Sequence, residues 1–334
     1  MNDPKNILVV TLSNFGDVIL TTPVIMALVK KFPQAKITAV VGPRARSVLQ
    51  RSPAIHKIVI YDKKAPLFKK LIFLLELRKA KYDWVVDLRN TAIPFLVSCK
   101  KRTPLFRKFT KANMRDRHLE LLSLMKGNGS FLAEENGGSP EVPPFCFFNE
   151  VDEVFALRTL EVDKIPEKSK WIVVAAGAAT ARKRWPAPHF TQVIRTLHQK
   201  TGKKVLMVGL LDERPVADSI AAALPGIVSV FCGDLSLSET AALISRASLL
   251  ISNDSANMHL GFELGIPTVG IFGPTDHEKY GHEGPKFRIA RGDAEACSCE
   301  SHKLHRSERS CFHGLQPEKV IELCLELLNV SPSA

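Results

Sequence analysis

The stretch Leu249-Leu250-Ile251-Ser252-Asn253-Asp254-Ser255-Ala256-Asn257-Met258-His259 changes character at its middle. Leu249 to Ser252 reads as a strand buried on both faces, because its apolar residues run on without alternation, as in a parallel sheet. Asn253, Asp254 and Ser255 are residue types that favour the N-cap of a following helix. That helix is expected over about 255–264, with Gly265 past its end and Pro267 opening the next strand. A helix starting at the carboxyl end of a parallel strand aims unpaired N–H groups and the positive end of its dipole outward from the sheet edge. Such an edge suits an anion, and a pyrophosphate in particular. A plain βα turn with a good cap has the same spacing, so this stretch alone leaves both readings open.

The same alternation extends in both directions. Upstream in the second half, Trp171–Ala176, Val205–Gly209 and Ile227–Phe231 read as strands, and Thr268–Phe272 follows. Helices fit at about 187–200, 212–223 and 238–246, with a last one at about 317–329. In the first half, Ile7–Leu12, Ile37–Val41, Ile55–Tyr61 and Trp84–Leu88 read as strands, and Pro23–Phe32 as a helix with proline in its first turn. Between the halves, 126–143 is rich in glycine, asparagine and serine, and a charged linker with Pro166 lies near 161–170. Repeated βα units imply parallel sheets covered by helices. The expected organisation is α/β, with one domain at 1–165, another at 166–334, and a cleft between them.

Bulk properties agree with such a protein. A chain of 334 residues is too long for one small core, and 45% apolar with 24% charged residues is a globular composition. No apolar run approaches the ~18 residues of a membrane span. Met1–Lys5 leads straight into a strand-like run without the regions of a signal peptide, so a cytoplasmic enzyme is expected. The formal charge of +12 attracts phosphates, nucleic acid or anionic lipid without choosing among them. Of seven cysteines, Cys99, Cys146, Cys232 and Cys324 have apolar or small neighbours and read mostly as buried free thiols. Cys297, Cys299 and Cys311 cluster with His302, His305 and His313, but not in a common paired zinc spacing. A local structural role and a metal site are both open there.

Further features narrow the chemistry. Gly177-Ala178-Ala179 ends a strand of the second half and precedes Arg182-Lys183-Arg184-Trp185-Pro186, where cations beside a glycine-containing loop can neutralise phosphate. Taken with Lys183–Pro186 and with Asn14-Phe15-Gly16-Asp17-Val18-Ile19-Leu20-Thr21-Thr22-Pro23, the segment from Ser252 to Leu260 and its continuation Leu264–Thr275 resemble the signature of ADP-heptose:lipopolysaccharide heptosyltransferases, glycosyltransferase family 9. These motifs stand in order and span residues 7–275.

The resemblance implies a GT-B architecture of two Rossmann-like domains, the first for the acceptor and the second for the nucleotide-sugar. It implies an inverting transfer of heptose from ADP-heptose to the lipopolysaccharide inner core, with no obligatory metal or other cofactor. Asp17 then matches the general base, against the plainer reading of a helix cap. Lys183 would meet the departing diphosphate, with Arg184 beside it. Gly177, Thr180, Asp254 and the N–H groups of Ser255, Ala256, Asn257 and Met258 would line the donor. His259 would bond a phosphate or simply pack on the sheet, and Glu213 would reach the ribose, with Asp212 an equal candidate by spacing. Asn14, Arg89, Lys100, Lys101, Arg102 and Arg107 would face an anionic glycolipid acceptor. The family usually has glycine at the place of Ala256, and hydroxyl residues where Ala178 and Ala179 stand; these departures bear on the identity of the donor.

The basic stretch Lys100–Arg102, Arg107–Lys108, Lys111, Arg115 and Arg117 reads as a loop or helix, either solvated or facing acceptor and membrane. Leu67–Leu75 reads as a helix packed on the sheet, with contact to lipid the alternative. No nucleic-acid module accompanies Phe106 and Phe109, so no nucleic-acid partner is expected. A nucleotide-sugar epimerase of related architecture, or a non-enzymatic nucleotide-binding or nucleic-acid-binding module, would be the rival functions. Neither an epimerase nor a binding module needs the Gly16-Asp17 loop.

Overall fold

Buried apolar runs at the centre and more polar strands at the edges build the first sheet: β1 (Asn6–Val10), β2 (Lys36–Val41), β3 (Lys57–Ile60), β4 (Tyr82–Asp87) and β5 (Cys99–Arg102). They lie in the order β3-β2-β1-β4-β5, all parallel, with Ile7 of β1 registered against Ile37 on one side and Trp84 on the other. The accompanying helices are α1 (Phe15–Ile19), α2 (Thr22–Lys31), α3 (Arg46–Leu49), α4 (Leu67–Lys79), α5 (Ile93–Leu96) and α6 (Met114–Ser123). This computed structural model describes residues 3–11, 13–105, 108–125, 142–162, 171–292 and 312–329. The chain steps outward from β1 through β2 to β3, then returns to the other side of β1 as β4. Right-handed crossovers therefore put α4 and α5 on one face of the sheet. There Phe73, Leu74 and Leu77 of α4 share a core with Leu8, Val85, Ile93 and Val97.

The second sheet repeats the plan. Its strands are β6 (Ile172–Ala175), β7 (Val205–Met207), β8 (Val228–Val230), β9 (Leu249–Asn253), β10 (Thr268–Phe272) and β11 (Phe287–Arg291), in the order β11-β10-β9-β6-β7-β8. Around it lie α7 (Glu150–Val162), α8 (Ala187–Thr201), α9 (Arg214–Ala222), α10 (Leu237–Ser245), α11 (Ala256–Glu263), α12 (His277–Tyr280) and α13 (Pro317–Leu327). α8 stops where Gly202 turns to φ 67°, a left-handed conformation that costs glycine nothing, and its N–H bonds His198 O at 2.7 Å. The core beneath is continuous, with Trp185, Phe190, Val205, Ile251, Ile271 and Val320 all buried in one cluster.

Three expectations change. The chain divides between Phe147 and Phe148 rather than at 165, because α7 packs on α10. Ala156 and Leu160 are buried, and Glu153 pairs with Arg246 at 2.8 Å. The edge strands β5 and β11 were not anticipated. The basic run Lys100–Arg102 is therefore strand, not loop or helix. Among the cysteines, Cys232 and Cys324 are buried thiols, whereas Cys99 is half-buried and Cys146 exposed. Arg107, most of the turn-rich 126–143 segment, and Cys297, Cys299, His302, His305 and Cys311 lie outside the described residues.

Among the described residues, no helix is long and apolar enough to cross a membrane. Nor do any three histidine, cysteine or acidic side chains there form a metal-binding group.

Candidate functional site

In each sheet the strand order reverses once, between β1 and β4 and between β6 and β9. At such a switch point the flanking loops leave in opposite directions, and a crevice opens over the carboxyl ends of the strands. Asp17 and Arg89 of the first unit, and Gly177, Lys183, Glu213 and Asp254 of the second, lie at these two edges.

In the second unit, β6 runs through Ala176 into Gly177, and β9 runs through Asn253 into Asp254. Asn253 joins the two loops. Its side-chain amide donates to Ala176 O at 2.7 Å, and its carbonyl oxygen accepts from the Trp185 N–H at 3.2 Å. The 3₁₀ turn Ala181–Lys183 is thereby held over the start of α11. Lys183 Nζ then lies 2.7 Å from Asp254 Oδ2, with the lysine side chain 31% exposed and the aspartate 6%. Asp254 is oriented from behind by its own N–H, which bonds Ile271 O at 3.0 Å. Arg184 donates from Nε to Ala178 O at 3.0 Å.

The N-cap of α11 is Ser255, but its hydroxyl does not cap the helix; it lies 3.1 Å from Ser252 Oγ. The first turn of α11 thus presents its N–H groups at the edge without a side-chain cap, beside a lysine. Ser255, Ala256 and Asn257 are half-buried, while Met258 and His259 are buried. Met258 packs where Gly270 leaves room: a Cβ there would stand 2.7 Å from its sulfur. The His259 ring meets Phe262 edge-on at 6.4 Å.

Glu213 follows β7 and turns inward, while Asp212 is exposed. Its carboxylate accepts from Leu210 N at 2.8 Å and fills the space that a side chain at Gly177 or Gly209 would occupy. Two glycines at the ends of adjacent strands thus make a niche for one acid. Burial raises the Glu213 pKa above its ordinary value; the Leu210 hydrogen bond and Arg184 oppose this, and Asp212 adds to it. The neighbouring Cys232 thiol is pushed up to about 12, first by burial and then by Glu213, so it stays protonated at neutral pH. Thr180 is exposed at the rim.

In the first unit, β1 leads through Ser13 into α1, and β4 into Leu88-Arg89-Asn90. Asp17 is half-buried in α1 and accepts from Asn14 Nδ2 at 3.0 Å. Arg89 Nη1 donates to Ser13 Oγ at 2.7 Å, which ties the two loops. The β4 loop is shaped by buried Asp87, which accepts from Arg89 N at 2.8 Å and from the Thr91 N–H and hydroxyl. Asn90 has φ 62°, a conformation asparagine tolerates better than most residues. Beside this loop is a cavity of about 300 Å³ lined by Arg89, Asn90, Phe109, Arg117 and His118 among others.

The structure does not gather all the expected acceptor residues. Lys100 pairs at 2.7 Å with Asp83, which also receives the Lys5 and Asn6 N–H groups at the start of β1. It therefore stands at the amino edge of the sheet, opposite Asp17. Lys101 lies over the Trp84 ring at 5.3 Å and Arg102 over Phe95 at 5.1 Å. Cation–π contacts and an ion pair thus occupy these three. Asn90, His118 and the bridging role of Asn253 had not been foreseen. Arg117 was legible only as one cation of a run.

Known proteins resemble this chain in both units. Residues 148–310 match the model of glycosyltransferase family 9 (heptosyltransferase), and that match begins where the second unit begins. Lipopolysaccharide heptosyltransferase 3 of Escherichia coli K12 is 28% identical over 280 residues, covering 78% of this chain and 80% of that protein. The solved ADP-heptose lipopolysaccharide heptosyltransferase II of E. coli superposes with a TM-score of 0.75 at 20% identity, over 97% of this chain and 98% of the other. A glycosyltransferase family 9 structure from Veillonella parvula DSM 2008 gives 0.76 at 23%, over 97% of each. At these identities the two structures speak for the fold, an α/β GT-B architecture of two Rossmann-like units.

Proposed function

Because residues 148–310 match the model of glycosyltransferase family 9 (heptosyltransferase), we propose that the protein is a heptosyltransferase of lipopolysaccharide core biosynthesis. It takes heptose from ADP-heptose, transfers it with inversion to the inner core, and releases ADP. The observation that carries this reading is the Lys183–Asp254 pair at the amino end of α11, on the β6/β9 switch point. An ammonium aligned by a buried carboxylate, next to a helix start whose N-cap residue Ser255 makes no side-chain capping bond, is a fixed positive edge for a diphosphate. Gly177, Thr180, Arg184 and Ser255–Met258 surround the donor, and Glu213 in its glycine niche takes the ribose hydroxyls.

In the reaction an acceptor hydroxyl oxygen bonds to the anomeric carbon from the face opposite the leaving group. The bond from that carbon to the diphosphate oxygen breaks, and its electron pair leaves with ADP. Asp17 receives the hydroxyl proton, a contribution of about 10²–10⁴ in rate. Lys183 balances the charge that grows on the diphosphate, which is commonly worth about 10²–10³. Asn14, Arg89 and Arg117 hold the anionic acceptor beside the cavity of the first unit, and the enzyme works at the cytoplasmic face of the inner membrane. Lys100, Lys101 and Arg102 have other partners and play no part in this scheme.

The decisive assay offers a panel of nucleotide-sugars with truncated core acceptors and follows ADP release and the product's anomeric configuration. Turnover with ADP-heptose and an inverted product is expected. Isomerisation of the donor without any acceptor would favour an epimerase instead.

A further inference from the structure

We propose that the outward face of α4 is a docking surface for an anionic lipid bilayer. Leu67, Phe68, Leu71, Ile72 and Leu75 are 82%, 61%, 56%, 59% and 49% exposed. Their spacing places them within about 140° of the helix circumference, on one face. The expectation that this helix simply packs on the sheet therefore holds for only one side. Phe73, Leu74 and Leu77 on the other side already complete the core. Contiguous exposed apolar patches on a soluble protein usually mark an interaction site.

The charges around the face say what covers it. Lys63, Lys64, Lys69, Lys70, Arg78, Lys79 and Lys81 lie in or beside the helix, against the acids Asp62 and Glu76. Both acids are engaged: Asp62 accepts from Lys64 N at 2.8 Å, and Glu76 pairs with Lys57 at 2.7 Å. An apolar strip edged by cations is the pattern of a helix lying in the plane of an anionic membrane surface, its apolar side chains reaching roughly 5–10 Å into the headgroup boundary. A second copy of this chain is a poorer partner, because pairing the strip with itself would set the same cations against each other on a protein of net charge +12. The same sheet face carries exposed Phe95 and Leu96 on α5. This inference deepens the transferase reading by placing a membrane contact on α4, and it stands on the exposure and charge of that helix.

The test uses the full chain and vesicles of phosphatidylcholine with or without phosphatidylglycerol, read by co-sedimentation. Wild type should bind the anionic vesicles and largely ignore the neutral ones, with binding falling as salt rises. Leu71→Gln/Ile72→Gln/Leu75→Gln should weaken binding at least about tenfold at an unchanged melting temperature, since all three side chains are exposed. Lys63→Gln/Lys64→Gln/Lys69→Gln should weaken it on the order of 100-fold, at roughly fivefold per cation. Undiminished binding by the first variant, or no binding by wild type, overturns the proposal. So does a wild-type dimer that the first variant disperses without vesicle binding, which would make this face a contact between copies. The vesicles contain no acceptor, so the transferase reading can fail while this one stands. Turnover of the first variant on a soluble truncated acceptor should remain within about twofold of wild type.

Discussion

The carboxyl edge of the second sheet is bridged by a buried amide and an ion pair, whereas the matching edge of the first is bridged by an arginine and borders a cavity. In the second unit, Asn253 bridges two loops and Lys183 is paired with Asp254. In the first, Asn14 reaches Asp17 and Arg89 reaches Ser13, beside a cavity of about 300 Å³. A nucleoside diphosphate presents the same groups every time, so a preset cradle loses little entropy on binding. The glycolipid acceptor of the proposed reaction is larger and more variable, and would need the room that the cavity offers. On the proposed function, chemistry belongs to the first edge and fixation of the donor to the second, and substitutions can break that proposal.

The largest effect is expected at Asp17. Asp17→Asn should lower turnover by about 10²–10⁴ while ADP affinity stays within twofold, measured by ADP release and calorimetry. Turnover above a tenth of wild type would remove Asp17 as the base. Lys183→Ala should cost about 10²–10³ in turnover, and it should also weaken ADP binding and lower the melting temperature, because Asp254 keeps a buried charge without its partner. An unchanged ADP affinity would contradict a cradle role. Asn253→Ala removes two buried hydrogen bonds and should cost about 2–3 kcal/mol in denaturant unfolding. A loss below half of that would mean that the loops hold their places without it.

Smaller effects probe the niche. Gly177→Ala drives a methyl into the Glu213 carboxylate, so ADP should bind about tenfold more weakly, or roughly 1.4 kcal/mol. Adding Glu213→Gln would not relieve the clash, since glutamine has the same bulk. Glu213→Gln alone has the smallest effect and shows it in pH dependence. Because burial raises the folded-state pKa of Glu213, the folded form holds its proton to higher pH than the unfolded chain does. Stability from this group is present below the ordinary glutamate pKa and is lost as pH rises through the raised value. The glutamine variant should lack that decline, gaining on wild type as pH increases from acid toward neutral. Parallel melting curves across this range would show that the shift has no energetic weight.

The central strands and the helices beside them were legible because burial on both faces writes an unbroken apolar run. The edges were not. Cys99-Lys100-Lys101-Arg102 carries three cations, and its strand rests on one ladder with β4 and on contacts to Trp84 and Phe95 that only the fold supplies. Phe287–Arg291 likewise has a single neighbour, β10. α4 is apolar around most of its circumference, so periodicity could not say which side meets the core. At the carboxyl edge of the second sheet the motif order exposed Lys183, Asp254 and Glu213, but not their distances. Asn253 read as a cap residue, yet it acts across 77 positions of sequence on Ala176. Asn90 announces its positive φ only in three dimensions.

The seam at Phe147–Phe148 has a practical side. α7 lies on the near side of the expected 165/166 boundary but packs with α10. A fragment begun at residue 166 would strip Ala156, Leu160 and the Glu153–Arg246 pair from its own hydrophobic support and expose the back of α10. One begun at Phe148 keeps them. Chimaeras that exchange the second unit among relatives should therefore be spliced before α7, where the recombined protein inherits an intact helix pair instead of half of one.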